Sequence, residues 1–487
     1  MKQPRPNLCL LFLCLWLSCP VAPFAAEEKT TSPNVVIILA DDMGYGDLKS
    51  YNPDSKIPTP ALDRLAAEGI RFTDAHTTGS TCIPARFGLM TGTYPFRQKG
   101  GMRDTVPLIP EDMPTVASLL KSAGYRTEMV GKWHLGFDDK LNPVAGKALT
   151  GGPMDRGFDS FFGIHASTDI PPYYYIDGRL PTGMPMKQIG AGIDDEATTG
   201  WNNIQGAFWR AGGIGQDLSL PEVTPKFGTK AVEFIARQSE QNDKADNASQ
   251  PFFLYLALPS PHTPWLPTEE FVGQSGAGSY GDFMMTVDHE VGRVLKQLDD
   301  SGLADNTLVL FTSDNGPVWY AKDEEKYGHA SVGKLRGMKG DNWEGGHRMP
   351  FIIRYPGKAA AGSSSDALVS FLDVSATLAE LAGVTEDIPA DSISFLPSIL
   401  GKENPNARTE LAHGKSKRFM LRSTRWKLLM HKGSAGFSNR YNKGKPASEP
   451  PGQLYDINND LGETTNLWND KPELVEKLSA RLKEIIE

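Results

Sequence analysis

A continuous apolar segment, residues 34–40, ends directly at the pair Asp41-Asp42. An apolar run without alternation is typical of a strand that is buried on both faces, as in a parallel sheet covered by helices on both sides. Residues 61–68 then predict a helix that ends at Gly69 and leads to a strand at 70–72. Repetition of this helix-strand alternation predicts an α/β fold with a large mixed, mostly parallel sheet flanked by helices.

The later part of the chain continues the same pattern. Further elements are predicted as helices at 114–123, 283–298 and 368–381 and as strands at 125–130, 252–258, 307–312 and 350–354. In open sheets of this class, ligands bind beyond the carboxyl ends of the strands. Four polar residues come just after predicted strands: Asp41, Lys132, His262 and Asp314. We therefore expect them to share one site.

The C-terminal part has a different texture, with polar loops from about residue 401, strands at 426–430 and 454–457, and an amphipathic helix at 472–486. This predicts a smaller C-terminal α+β subdomain with a short antiparallel sheet. The predicted boundaries are a signal peptide at 1–26, a catalytic domain at 27–400 and the subdomain at 401–487. Residues 141–221 show no helical or strand periodicity of apolar residues, and this predicts long loops near the site.

The first 26 residues have the pattern of a secretory signal, with Lys2 and Arg5 before an apolar run at 8–21. Three of the four cysteines lie in this segment, so the mature chain keeps only Cys82 and has no partner for a disulfide. The signal predicts an exported, periplasmic or secreted protein, and the lack of disulfides fits a bacterial one. Lipid anchoring is a less favoured alternative, because Trp16 occupies the place of an aliphatic residue in the lipoprotein cleavage pattern.

Charge and hydropathy exclude two classes of partner. The formal net charge is -9, and loss of the signal removes two further positive charges, so the basic surface of a nucleic-acid-binding protein is missing. No second apolar run approaches the roughly 20 residues that cross a membrane.

The remaining cysteine lies in the segment Thr81-Cys82-Ile83-Pro84-Ala85-Arg86. Pro84 fits the first turn of a helix that residues 85–90 continue, which puts Cys82 at the helix entrance, where free backbone N–H groups attract anions. Arg86 returns to the same face four residues later. A lone cysteine is often only a core residue, and that alternative stays open from the residues alone.

The pattern Cys82-x-Pro84-x-Arg86, followed by Leu89-Met90-Thr91-Gly92, resembles the signature of the type I sulfatases of the alkaline phosphatase superfamily. Five further segments follow in the order of that family: Asp41-Asp42-x-Gly44, Gly131-Lys132-Trp133-His134-Leu135-Gly136, Pro261-His262-x-Pro264, Ser313-Asp314-Asn315-Gly316, and Gly337-x-Lys339-Gly340 leading to Trp343-Glu344-Gly345-Gly346. The resemblance spans roughly residues 34–466 and implies an alkaline phosphatase-like fold.

The resemblance also implies the chemistry. A maturation enzyme would convert Cys82 to formylglycine, whose hydrate would attack the sulfur of a sulfate ester and form a covalent sulfo-enzyme. The implied catalytic residues are Cys82, Arg86, Lys132, His134, His262 and Lys339. The implied metal ligands are Asp41, Asp42, Cys82, Asp314 and Asn315. Hard oxygen donors suit Ca²⁺ or Mg²⁺ and not zinc, and the resemblance favours Ca²⁺.

Other residues carry weaker predictions. His165 and His329 are candidate substrate contacts, and Tyr173, Tyr174, Tyr175, Trp201 and Trp209 could stack on sugar rings. The expected substrate is a sulfated small molecule or saccharide. Two other functions stay open: a phosphodiesterase or phosphonate monoester hydrolase on the same fold, and an inactive relative that binds sulfated glycans without turnover.

Overall fold

Eighteen strands are present in the described residues. In chain order they are β1 (Asn34–Asp41), β2 (Ile70–Phe72), β3 (Ala75–His76), β4 (Arg126–Lys132), β5 (Ser160–Ile164), β6 (Ile176–Asp177), β7 (Leu180–Pro181), β8 (Lys187–Ile189), β9 (Gly212–Ile214), β10 (Phe252–Pro261), β11 (Thr307–Ser313), β12 (Phe351–Arg354), β13 (Ser363–Ser365), β14 (Val369–Ser370), β15 (Glu410–Lys415), β16 (Arg418–Ser423), β17 (Trp426–Leu429) and β18 (Gln453–Asp456).

The α-helices are α1 (Pro60–Glu68), α2 (Cys82–Thr91), α3 (Val116–Ser122), α4 (Val223–Lys244), α5 (Gly278–Asp300), α6 (Ala321–Tyr327), α7 (Glu344–His347), α8 (Asp373–Ala382), α9 (Leu396–Ile399) and α10 (Pro472–Ile486). Short 3-10 helices are Pro95–Arg97, Pro153–Asp155, Leu220–Glu222, Glu269–Phe271 and Ala304–Asn306. The computed structural model describes residues 1, 32–99, 101–192, 204–244, 250–415, 418–438 and 449–487. The predicted signal peptide and Trp201 lie outside these ranges.

Ten strands form one mixed sheet in the order β13-β2-β12-β11-β1-β10-β4-β5-β6-β7. The central five, from β11 to β5, run parallel, and β12 and β6 pair antiparallel at either side. The predicted mostly parallel sheet flanked by helices is confirmed. The residues at the carboxyl ends of β1, β4, β10 and β11 therefore meet at one edge.

Strand β1 lies at the centre of this sheet, and its two faces enter two different hydrophobic cores. Val35, Ile37 and Leu39 pack in the core that contains residues of α2, α3 and α8. Val36 and Ile38 pack in the core that contains residues of α1, α4 and α5. Burial of both faces is the reason that this strand shows no polar alternation.

Most sequence-predicted elements match within a few residues, with three differences. The helix predicted at 368–381 begins only at Asp373, because Val369 and Ser370 pair with β3 instead. The predicted loop region 141–221 contains strand β5, which extends the parallel sheet. The long helix α4 was not predicted.

The C-terminal strands β15 to β18 form a separate antiparallel sheet, and α10 packs against it. This agrees with the predicted texture of the C-terminal part. Residues Ser32–Glu487 form one compact unit, and the boundary at residue 400 stays a prediction.

Buried charges join the C-terminal sheet to the rest of the molecule. The Lys427 ammonium on β17 lies 3.0 Å from a Glu344 carboxylate oxygen and 2.9 Å from one of Glu463. Arg422 on β16 pairs with Asp74 at 3.0 Å. These side chains are almost fully excluded from water, so each charge depends on its partner.

Lys427→Met is expected to lower the free energy of unfolding by about 3–5 kcal/mol, because it leaves the buried Glu463 carboxylate without its ammonium partner, whereas Glu344 keeps Arg348 and Arg422. Urea unfolding measures the loss. Arg425→Ala is the control, since Arg425 is half exposed in its pair with Asp456 and its removal should cost no more than about 1 kcal/mol. Equal effects of the two changes would contradict the prediction.

Candidate active site

Helix α2 begins at Cys82, and Arg86 follows about one turn later in the same helix. The Cys82 thiol is buried, with its sulfur 3.5 Å from a carboxylate oxygen of Asp41 and 3.5 Å from the Lys339 ammonium. Burial, together with Asp41, raises the pKa of this thiol. The thiol therefore carries its proton at neutral pH.

Three carboxylates and one amide converge at the ends of β1 and β11. These strands pair in parallel, with Ala40 opposite Ser313, so the residues that follow them are neighbours. The Asn315 side-chain amide donates to an Asp42 carboxylate oxygen at 2.6 Å, and the Asp42 backbone N–H lies 3.3 Å from an Asp314 carboxylate oxygen. The structure therefore brings the ends of these two strands together.

Three cations neutralise the carboxylates. The Arg86 Nε donates to Asp314 at 2.8 Å, Lys132 contacts Asp41, and Lys339 contacts Asp42. Burial alone would raise the pKa of Asp41, but Lys132, His262 and Arg86 outweigh it and hold that pKa below its usual range. Burial and the neighbouring Asp41 raise the pKa of Asp314 to about 6.

Close backbone packing sets the position of Lys132 and His134 at the end of β4. Gly131 has φ +118°, and a Cβ there would lie 2.0 Å from the Ala257 carbonyl oxygen of β10, so only glycine permits this approach. His134 itself is left-handed, with φ 60°. Non-glycine residues hold such a conformation only where their surroundings enforce it.

The two predicted histidines lie near different carboxylates. His134 lies 3.8 Å from Asp104, and burial, Lys132 and Arg86 lower its pKa well below the usual value, which keeps the ring neutral. His262 Nε2 lies 3.6 Å from Asp42, and its Nδ1 donates to the Thr263 carbonyl at 2.7 Å. The hydrogen bond from Nδ1 to the Thr263 carbonyl leaves Nε2 facing the site. In this tautomer the ring proton is assigned to Nδ1.

The site opens into a cavity of about 1060 Å³. Its wall includes Asp42, Cys82, His134, His262 and Lys339. The other predicted site residues lie behind this wall and are fully or almost fully buried: Asp41, Arg86, Lys132, Asp314 and Asn315. Of the three cations, only Lys339 reaches the cavity surface.

The weaker candidates lie elsewhere. His165 Nε2 bonds the Pro172 carbonyl at 2.8 Å, and His329 Nε2 bonds Asp47 at 2.9 Å. Neither histidine lines the cavity around Cys82. The three tyrosines are buried in the hydrophobic cores, and the Trp209 indole donates to Gly190. The structure does not bring these residues together with Cys82.

Sequence reasoning missed part of the cavity wall. Ser167, Asp169 and Arg210 come from the loops in the aperiodic region, and the Ser167 hydroxyl is buried without a hydrogen-bond partner. The aromatic side chains at the wall are Phe96, Phe419 and Phe437, far apart in sequence. Loops without a period give no signal of where their side chains meet.

Comparison with known proteins identifies the chain. Residues 33–384 match the sulfatase family model, and residues 339–487 match the model described as N-sulphoglucosamine sulphohydrolase, C-terminal. The chain belongs to the sulfatase family. This sulfatase is therefore a sulfuric ester hydrolase on a mixed α/β fold, as the sequence resemblance implied.

Several relatives are similar to this sulfatase over most of its length. An N-acetylgalactosamine-6-O-sulfatase of Bacteroides thetaiotaomicron is 32% identical, with 94% of each chain covered. Human arylsulfatase A is 34% identical over 89% of this chain and 83% of its own. A solved Bacteroides thetaiotaomicron structure, described in terms of the metabolism of multiple glycosaminoglycans, superposes with a TM-score of 0.78 at 31% identity and covers 94% of this chain and 100% of that one.

Candidate metal ligands are also present in the described residues. Ligand atoms of Asp41, Asp42, Cys82 and His262 all lie within 4.8 Å of one another. This sulfatase thus has a possible metal-binding cluster at its cavity. Within the described residues, no helix has the length and hydropathy of a membrane span.

Proposed function

We propose that this sulfatase hydrolyses sulfate esters of carbohydrates with a formylglycine formed from Cys82. The observation that carries the proposal is the position of Cys82, at the start of α2 in the cavity wall between the Asp41 carboxylate and the Lys339 ammonium. In this structure the cysteine sulfur stands in for the oxygen of the modified residue. The maturation enzyme that would make the change is a separate protein.

The carboxylates support a calcium site as part of the proposal. The Asn315 side-chain oxygen is buried without a hydrogen-bond partner in the part of the chain that the structure describes, although its NH₂ group bonds Asp42 and the Gly316 carbonyl. An orphaned buried oxygen beside three carboxylates fits a hard cation. The ligands would be Asp41, Asp42, Asp314, Asn315 and residue 82. Bound calcium would act as a Lewis acid toward a sulfate oxygen.

In the first half-reaction, a hydroxyl of hydrated residue 82 gives its proton to the Asp314 carboxylate and attacks sulfur, and the bond from sulfur to the sugar oxygen breaks. In this step His262, in the cavity wall, carries a proton on both ring nitrogens, so that Nδ1–H keeps its bond to the Thr263 carbonyl while Nε2–H gives its proton to the departing alcohol oxygen. Lys339 is the cation in the wall that contacts the sulfate oxygens. Lys132 and Arg86 lie behind the cavity wall, where their charges favour the ionised forms of Asp41 and Asp314. Direct contact of Lys132 and Arg86 with sulfate stays a prediction.

In the second half-reaction, His134 removes a proton from the remaining hydroxyl of residue 82. The side-chain carbon of residue 82 carries both this hydroxyl and the sulfated oxygen. Its bond to the sulfated oxygen breaks, sulfate leaves, and the aldehyde forms again. A neutral ring is the form of histidine that accepts a proton, and burial with the neighbouring cations favours that form for His134. Water then hydrates the aldehyde for the next turnover.

The relatives support a carbohydrate substrate. One of them is named an N-acetylgalactosamine-6-O-sulfatase, and the apolar and aromatic part of the cavity wall offers surfaces for a sugar ring. We also propose that the chain is exported, from the signal pattern in its first 26 residues.

Paired assays test the proposed reaction. An aryl sulfate, a sulfated monosaccharide and an aryl phosphodiester are compared by kcat/KM on the same preparation. Higher kcat/KM for the sulfate esters is expected. A higher value for the phosphodiester would favour the phosphodiesterase alternative, and binding of sulfated sugar by native protein with unmodified Cys82 and no turnover would favour the binding protein.

Removal of the metal is expected to abolish turnover, and Ca²⁺ should restore it better than Mg²⁺. Calcium should also raise the unfolding temperature of the chelated protein, since it binds only the folded state. Asn315→Ala should reduce this shift because it removes the orphaned amide oxygen. Asn459→Ala, at an exposed position in the C-terminal part, is the control and should keep the full shift. Extensive chelation without loss of activity would contradict the calcium site.

A further inference from the structure

The cavity extends well beyond the space for one sulfate group. Its volume of about 1060 Å³ lies at the upper end of the roughly 300–1,000 Å³ of sites that hold drug-sized ligands. One side of it is built by the C-terminal sheet, from His413 and Gly414 on β15 and from Arg418 and Phe419 on β16. The sheet therefore supplies surface for a part of the ligand other than the reacting sulfate.

Arg418 lies on the face of this sheet that meets the rest of the molecule. Alternate residues of a strand share a face, so Arg418 shares one with Met420 and Arg422. Arg422 pairs with Asp74, and His413, which is opposite Met420, packs its ring against His347 at 4.6 Å. Both contacts are to residues outside the C-terminal sheet. The Arg418 side chain leaves the strand on this same face.

The guanidinium of Arg418 has no carboxylate partner among the described residues. Lys339 contacts Asp42, and the other arginine of the cavity wall, Arg210, pairs with Asp169. Among the residues that the structure describes, no carboxylate lies within ion-pair distance of Arg418, which is exposed at the wall. An unneutralised guanidinium in a ligand cavity favours an anionic ligand group.

The carboxylates of the described cavity wall lie beside His262. Asp42 and Asp169 are the acidic residues in that wall, and they lie 3.6 Å and 3.9 Å from the two ring nitrogens of His262. Negative charge is therefore concentrated beside the reacting group. Among the described residues, the part of the wall built by the C-terminal sheet has a cation, Arg418, and no carboxylate.

We propose that Arg418 forms a second subsite that binds an anionic group, a carboxylate or a second sulfate, on the sugar next to the one that is desulfated. The inference rests on the proposed sulfatase reaction and assigns its substrate class as acidic oligosaccharides. The planar guanidinium forms paired hydrogen bonds with either group. Arg418 determines specificity and takes no part in bond cleavage.

The test compares three sulfated disaccharides that carry the same reactive sulfate and differ in the neighbouring sugar, which has a carboxylate, a second sulfate or neither. In the wild type, kcat/KM is expected to be about tenfold higher for at least one acidic disaccharide than for the neutral one. Arg418→Ala should bring this ratio close to one. Arg418→Lys should leave an intermediate ratio, since it keeps the charge and loses the fork. Arg425→Ala, at an exposed arginine outside the cavity wall, is the matched control and should keep the wild-type ratio.

The acidic disaccharide that shows the preference identifies the group that binds. Added salt should lower the ratio of the wild type, because salt screens the attraction between Arg418 and the anionic group of the substrate. The ratio of Arg418→Ala should not change, because the variant lacks this charge pair. A wild-type ratio near one, or an unchanged ratio in Arg418→Ala, would overturn the subsite while sulfatase activity remained. Failure of the wild type on all three disaccharides and on aryl sulfate would instead overturn the proposed function.

Discussion

Cys82→Ala is expected to abolish turnover of every sulfate ester, because it removes the residue that would become the nucleophile. Loss of a nucleophile lowers kcat by up to about 10⁶-fold in hydrolases that use one. The fold should remain, since one small buried side chain replaces another and the thiol's contacts with Asp41 and Lys339 are both as long as 3.5 Å. Activity assays and thermal unfolding of the same preparation separate the two effects.

Mass spectrometry of the peptide that contains residue 82 gives the chemical readout. The wild type should lose the thiol and gain an aldehyde that reacts with hydrazide probes, and Cys82→Ala should not react. Met90→Leu is the control within α2, because it keeps the buried volume and lies in the hydrophobic core. It should retain turnover and labelling. A fully active wild-type sample with only the intact thiol would refute the formylglycine mechanism.

His262→Ala is expected to affect sugar sulfates far more than activated aryl sulfates. A sugar alkoxide leaves poorly without a proton, and loss of a general acid costs about 100- to 10,000-fold. An aryl oxide leaves readily without a proton, so the loss of kcat/KM on aryl sulfates should be smaller. The measurement is the ratio of kcat/KM for the two substrate types in the variant and the wild type.

His134→Ala should give a different result, because its proposed step follows release of the alcohol. Both substrate types should turn over slowly, and the sulfated enzyme should accumulate as a mass increase on the peptide of residue 82. His289→Ala is the matched control at an exposed position on α5, and it should change neither ratio nor rate. Equal losses on sugar and aryl sulfates for His262→Ala would show that the acid is another group.

The sequence placed the residues at the strand ends close together for a physical reason. The continuous apolar runs identified strands buried on both faces, and in a parallel sheet the residues after such strands meet at one edge. Asp41, Lys132, His262 and Asp314 follow strands β1, β4, β10 and β11, and contacts connect them in the structure. Local pattern and short motifs therefore sufficed for the centre of the site.

Motif position could not separate residues at the cavity surface from those behind it. Arg86 and Lys339 both belong to matched motifs, yet Arg86 is fully buried against Asp314 and only Lys339 lines the cavity. His329 looked like a substrate contact, but its ring bonds Asp47. Packing between distant segments decides whether a side chain reaches the cavity surface. The pattern of residues along the sequence does not contain this information.

The sequence by itself determined the layered α/β architecture and the set of charged residues at one edge of the sheet, since both follow from local periodicity and from strand ends that meet. Only the tertiary structure decided the shape and charge of the cavity beyond that edge. Its wall combines Arg210 from an aperiodic loop with Arg418 from the C-terminal sheet, some two hundred residues apart. Contacts of such separation arise from the packing of whole elements, so no local signal in the chain specifies them.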